Sequence, residues 1–175
     1  MAKQFYLPDI LQNTNYDCGV ECTQTILAYY GVDYYEFELE KELKVSRKYG
    51  TELNSIVKFF RRRKYKVDYG ELSLELLKEY IHKEIPVIIL IQAWKQDDVD
   101  YENTYNWGHY VVVCGYNKKG FIIEDPAIFG RGFLSYRQLE KRWHGYDDKN
   151  KKKKCLGIAI YGKPKYDYRK YFKIL

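Results

Sequence analysis

Gln12-Asn13-Thr14-Asn15-Tyr16-Asp17-Cys18-Gly19 sets one thiol at the mouth of a helix. From Cys18 the run Cys18-Gly19-Val20-Glu21-Cys22-Thr23-Gln24-Thr25-Ile26-Leu27-Ala28-Tyr29-Tyr30 repeats its apolar residues at helical spacing and stops at Gly31. Asp17 is a residue type that caps helix N-termini, and Gly31 one that follows helix C-termini. In the first turn, unpaired backbone N–H groups and the positive end of the helix dipole favour thiolate over thiol. Cys18 is therefore a candidate nucleophile.

A cysteine nucleophile needs an imidazole beside it, a group that orients the imidazole, and donors for the oxyanion formed on attack. The chain has three histidines. His82 lies on an amphipathic helix and His144 beside a polar loop, whereas His109 opens a strand directly after Gly108, so His109 is the candidate base. Asp125 lies sixteen residues later. An even separation across a hairpin with an odd-length turn sets both side chains on one face, with twist or a bulge at Gly108, Gly115 or Pro126 to bring them together. Glu124 is expected to face the other way. Gln12, six residues before Cys18, offers a side-chain amide which, with the Cys18 backbone N–H, would form the oxyanion site. Taken singly none of the four decides anything. Their order and spacing together carry the case.

Outward from this core, residues 1–17 read as an extended lead-in. Helices are expected over residues 18–30, over 35–43 with Leu39 and Leu43 inward, from Thr51 as a cap with Leu53, Ile56, Val57 and Phe60 inward, and from the cap Ser73 with Leu74, Leu77 and Ile81 inward. Val87-Ile88-Ile89-Leu90-Ile91 has no alternation and suits a strand buried on both faces. Residues 95–107, with Asp97, Asp98, Asp100 and Glu102, suggest a surface loop. Residues 109–116 and 121–126 read as a hairpin whose three-residue turn has Gly120 in the left-handed position. Ser135 caps a short helix through Trp143, a loop covers 146–154, and 155–161 is a last strand.

The 175 residues fit one domain, residues 1–175 with a core of about 8–162. Hydrophobic residues make up 46% and aromatics 18%, which excludes a disordered chain, and the 20 tyrosines supply much of the packing area. No signal-peptide or membrane-spanning stretch is present, so a cytoplasmic location is expected. Four cysteines show no small disulfide-framework spacing. The net charge of +6 suits an acidic partner or merely a soluble surface. Zinc at Cys18, Cys22, His109 and Cys114 is disfavoured, because His109 and Cys114 alternate to opposite strand faces. The basic blocks Arg61–Lys66 and Lys151–Lys154 read as helix ends and solvated faces before they read as a nucleic-acid surface.

The pattern Gln12-x-x-x-x-Asp17-Cys18-Gly19-x-x-Cys22 with a Tyr30-Gly31 helix end, followed by His109-Tyr110-Val111-Val112-Val113 and Asp125-Pro126, resembles the bacteriocin-processing cysteine peptidase domains that cut leaders after a double glycine. Those belong to the papain-like superfamily. The resemblance implies an α+β papain-like fold, an N-terminal central helix packed on an antiparallel β-sheet. It also implies Cys18 as nucleophile, His109 as base and acid, Asp125 as orienting group and Gln12 as oxyanion donor, with no cofactor and no metal. The expected function is peptide or amide cleavage through a Cys18 thioester, with a peptide or protein such as a leader as substrate. Relatives of this fold include acyl transferases and transpeptidases with the same triad, and a non-catalytic peptide- or nucleic-acid-binding relative is the further alternative. Glu21 departs from the family, which usually has a small residue there.

Overall fold

A computed structural model of the chain describes residues 2–94 and 100–167. Asp97 and Asp98 of the expected surface loop, and the last residues of the Lys- and Tyr-rich tail, lie outside the described residues. The elements run β1 Lys3–Gln4, α1 Cys18–Tyr29, α2 Glu36–Leu43, α3 Leu53–Arg62, β2 Lys66–Glu71, α4 Leu74–His82 and β3 Val87–Gln92. They continue through β4 Gly108–Tyr116, β5 Gly120–Glu124, β6 Arg131–Ser135, α5 Tyr136–Arg142, β7 His144–Tyr146, β8 Lys152–Lys154 and β9 Leu156–Tyr161. The architecture is α+β, an antiparallel sheet in the order β2-β9-β3-β4-β5-β6 with α1 packed against β4. Short β1 adds to β4 at Gly115 and Tyr116, beyond the reach of β3.

The core follows from the composition of the central strands. Every residue of β3 is buried, and between its neighbours β9 and β4 it has no solvent face for alternation to serve. α1 buries Val20, Cys22, Ile26, Leu27 and Tyr29, and its C-terminus closes through Gly31 at φ 75°. The Gly31 N–H reaches Ala28 O at 2.9 Å and the Val32 N–H reaches Leu27 O at 2.9 Å, a complete Schellman closure. The inward stripe of α3 is as expected, with Leu53, Ile56, Val57 and Phe60 all buried. Ser73 caps α4 by accepting from Leu76 N, and Ser135 with Gln138 forms a capping box on α5.

Thr51 does not cap α3. The N-cap position is Glu52, which makes no side-chain cap bond, and the free N–H groups of Leu53 and Asn54 are taken by Asp148 from the β7–β8 region at 3.0 and 2.9 Å. A carboxylate there meets both orphan donors and the helix dipole, which one hydroxyl cannot do. The expected loop over 146–154 is likewise tighter than a loop, since its ends form the small antiparallel pair β7–β8. The strands β2 and β6 carry little apolar signal of their own, and they exist through pairing with β9 and β5.

The β4–β5 turn differs from expectation in a way that matters for the site. It is even-length: Tyr116 faces Phe121, and Asn117 closes on Gly120 through its backbone N–H to Gly120 O at 2.9 Å and its side-chain oxygen, which accepts from Lys119 N and Gly120 N. Gly120 is not left-handed; glycine is needed because an added Cβ would stand 2.1 Å from Leu134 O on β6. By itself an even turn would put His109 and Asp125 on opposite faces. A one-residue bulge at Cys114 corrects this: Gly115 faces Ile122 on the turn side, while Val113 faces Ile123 and Val112 faces Glu124 beyond it.

Candidate active site

Cys18 is the first residue of α1 and half-buried. Gly19 lets that first turn lie flush against its surroundings, because a Cβ there would be 2.7 Å from Thr51 Cβ and 3.1 Å from the Tyr110 ring. Tyr110 is fixed in turn by its hydroxyl donating to Thr51 O at 2.9 Å. α1 and β4 are thus locked together one residue from Cys18 and from His109.

His109 is 7% exposed, and its Nε2 lies 2.7 Å from Asp125 Oδ1, with Asp125 4% exposed. The Cys18 side chain is the imidazole's other neighbour and acts on its charge. With Nε2 on Asp125, Nδ1 is the nitrogen left for the sulfur. Burial alone would lower the His109 pKa, but the hydrogen bonds to Asp125 and Cys18, with the negative charge those groups carry, outweigh it and raise it to about 9. The imidazole accordingly holds its proton at neutral pH.

Asp125 is held on both oxygens. Oδ1 also accepts from Ala127 N at 2.9 Å, and Oδ2 accepts from the Trp94 indole N–H at 3.2 Å. The Trp94 ring stands edge-on to the His109 ring, centroids 6.4 Å apart at 90°. Trp94 is absent from the residues named from the sequence. The available signal was position: Ile91 pairs with His109 across β3–β4, so a tryptophan three residues past Ile91 leaves the strand beside the imidazole. Its left-handed backbone, φ 63°, aims the indole. Trp107 sits next to it in the ladder, its carbonyl accepting from Ala93 N at 2.9 Å.

Gln12 is tied to the same place. Its backbone N–H donates to Pro126 O at 2.8 Å, next to Asp125, and its side-chain Nε2 donates to Thr14 O at 2.7 Å. One Nε2 proton remains, and Oε1 is buried without a hydrogen-bond partner among the described residues. Asp17 occupies the N-cap position but makes no side-chain cap bond; its Oδ2 turns back to accept from Thr14 N at 2.9 Å. The segment before the thiol is therefore organised by Asp17 rather than the helix end.

The other candidates stand apart. His82 meets the Tyr116 hydroxyl at 2.7 Å and His144 meets Thr104 O at 2.7 Å. Glu124, buried one residue before Asp125, pairs instead with Arg131 at 3.5 Å. Cys22 and Cys114 are core residues; burial drives the Cys22 thiol well up and the Cys114 thiol to about 12. All four cysteines are free. Among the described residues, the one group of three or more His, Cys, Asp or Glu with ligand atoms within 4.8 Å of one another is Asp17, Glu21 and Glu36, not the cysteine–histidine set.

No curated protein matches the chain. Among solved structures it is similar to a putative C39-like peptidase from Bacillus anthracis, at 17% identity and a TM-score of 0.73, covering 94% of this chain and 100% of that one. It is also similar to the peptidase domain of Streptococcus ComA, a bifunctional ABC transporter of a quorum-sensing pathway, at 20% identity and a TM-score of 0.66 over 90% and 98% of the two chains. A double-glycine-motif protease from an AMS/PCAT transporter, solved in complex with the leader peptide, matches at 19% identity and 0.66 over 93% and 95%. These likenesses establish the fold, an antiparallel sheet with an N-terminal helix as the resemblance implied. The model of the peptidase C39 family matches residues 7–147, most of the chain and every residue of the constellation built above, and the protein belongs to the peptidase C39 family.

Proposed function

We propose that the protein is a cysteine peptidase in which Cys18, His109 and Asp125 act as a triad and Gln12 contributes to the oxyanion site. The observation that carries this reading is the buried His109–Asp125 pair at 2.7 Å, with Cys18 at the first position of α1 as the imidazole's other neighbour. A histidine that keeps its proton at neutral pH is the partner a thiolate needs.

The steps follow from these groups. The Cys18 thiolate adds to the peptide carbonyl carbon, and the carbonyl electrons move onto oxygen. The unused Nε2 proton of Gln12 and the Cys18 backbone N–H receive that oxyanion. Collapse breaks the C–N bond as His109 passes its proton to the departing amine, leaving a thioester on Cys18 and a neutral imidazole. The imidazole then takes a proton from water, whose oxygen attacks the thioester; collapse releases the acid and restores the thiolate–imidazolium pair. Asp125 keeps the ring oriented and opposes its charge in both protonation changes.

For the substrate we infer a peptide with small residues before the scissile bond. The indole of Trp94, 56% exposed, stands against His109 and Asp125, and we take it as the wall that narrows the approach to the thiol. A double-glycine leader of the kind bound by the transporter peptidase meets this demand. Incubation with peptides carrying Gly-Gly, Ala-Ala or Leu-Leu before the bond, read by mass spectrometry, tests it. The expected result is cleavage after Gly-Gly by the parent and none by Cys18→Ala; equal cleavage by both would refute the triad.

A further inference from the structure

Beside the thiol but outside the triad, three carboxylates meet. Asp17 precedes Cys18, Glu21 lies one turn along α1, and Glu36 opens α2; their oxygens lie within 4.8 Å of one another. This is not a solvated acidic face. Asp17 is fully buried and Glu21 is 1% exposed, and each has a buried oxygen, Asp17 Oδ1 and Glu21 Oε1, with no hydrogen-bond partner among the described residues. Buried carboxylate oxygens without donors are costly, and among the described residues no lysine or arginine forms an ion pair with any of the three. Their other oxygens are organised: Asp17 Oδ2 accepts from Thr14 N, and Glu36 Oε2 accepts from Asn13 Nδ2 at 2.6 Å. The orphaned oxygens are what a cation would satisfy.

We propose that Asp17, Glu21 and Glu36 bind one hard divalent cation of the calcium type, clamping residues 12–17 between the N-termini of α1 and α2. The donor set is all carboxylate, with neither thiolate nor imidazole, which selects oxygen-loving ions over zinc or copper. Two of the three ligands flank the nucleophile in sequence, and Thr14, whose carbonyl holds the Gln12 side chain, is bonded to the first. The bound ion therefore stiffens the segment that carries the oxyanion donor. The site stands independently of the peptidase reading, because it uses none of the triad side chains.

The test is calcium titration of the EDTA-stripped protein, by calorimetry and by thermal unfolding, with magnesium, manganese and zinc in parallel. The parent is expected to take up one calcium ion and to unfold at a higher temperature when loaded. Glu36→Gln, at a half-exposed ligand that leaves the fold in place, is expected to weaken binding by about tenfold or more, and Glu21→Gln to do the same. Cys18→Ala is expected to bind calcium as the parent does, which separates this site from the thiol. Absence of any calcium uptake or stabilisation, or uptake unchanged in both glutamine variants, overturns the proposal, as does uptake lost in Cys18→Ala but kept in Glu36→Gln.

Discussion

Gln12 has two amide protons and Thr14 takes one, so the remaining proton decides what this residue is worth. Gln12→Ala is expected to lower kcat by the equivalent of about 2.7–4 kcal/mol, with KM little changed, because the lost bond forms only in the transition state. Steady-state kinetics on a cleaved peptide read the split, and a change confined to KM would remove Gln12 from the oxyanion site. His109 makes the pH prediction. Its pKa rises from 6.5 to about 9 on folding, so the leaving amine finds its proton up to about pH 9 and cleavage falls above it. Trp94→Phe keeps a ring beside His109 but removes the donor to Asp125 Oδ2. Water then reaches the carboxylate and screens it, and the alkaline fall-off moves to lower pH. An unchanged pH profile in Trp94→Phe would assign the indole to shape alone.

At the level of elements, what was legible in the sequence is what is encoded locally. α4 and α5 declare their starts in Ser73 and Ser135, α1 declares its end in Gly31, and β3 declares itself by an unbroken apolar run. Cys18, His109, Asp125 and Gln12 could be put forward as candidates because nucleophilic chemistry restricts the residue types, and the structure joins His109 to Asp125 and Gln12 to Pro126. What was not legible is non-local. β2, β6, β7 and β8 need partners to exist, Asp148 caps α3 across 95 positions, and the β4–β5 turn is even where an odd one was expected, its parity restored by a bulge at Cys114 beside Gly115, one of the places where a bulge was expected. Trp94 belongs to the same class, since its role depends on where β3 ends relative to His109. Two predictions belong here. Asp148→Ala is expected to destabilise the fold by about 1–2 kcal/mol in urea, by freeing the Leu53 and Asn54 N–H groups, whereas Thr51→Val, whose hydroxyl is unpartnered, is expected to be nearly neutral. The reverse order would restore Thr51 as the cap. Gly19→Ala is expected to cost about 1–3 kcal/mol and to depress Cys18 reactivity as well, because the clash with Thr51 Cβ lifts the first turn of α1.

For the molecule as a whole, the order of the sheet bears on where the folding unit ends. The family match stops at residue 147, yet β9 follows it and lies between β2 and β3. Truncation after Lys154 strands β2 and uncovers one edge of the central strand β3, so the shortened chain is expected to lose cooperative unfolding and protease resistance. A truncated chain that unfolds like the parent would place the domain boundary before β9. No helix of the described residues is long and apolar enough to cross a membrane. The His109 shift also reaches the global stability: the native state holds a proton that the unfolded chain releases above about pH 6.5, so this contribution is full below that pH and is lost as pH rises to about 9. The central claim, that one thiol of four is paired with a protonated imidazole, is tested most directly by brief exposure to limiting iodoacetamide across a pH series, with the modified cysteine located by mass spectrometry. The account predicts a single fast alkylation at Cys18 that persists at about pH 6, where ordinary thiols are slow, and that slows sharply in His109→Ala. Four cysteines reacting alike, or a Cys18 rate indifferent to His109, would contradict it.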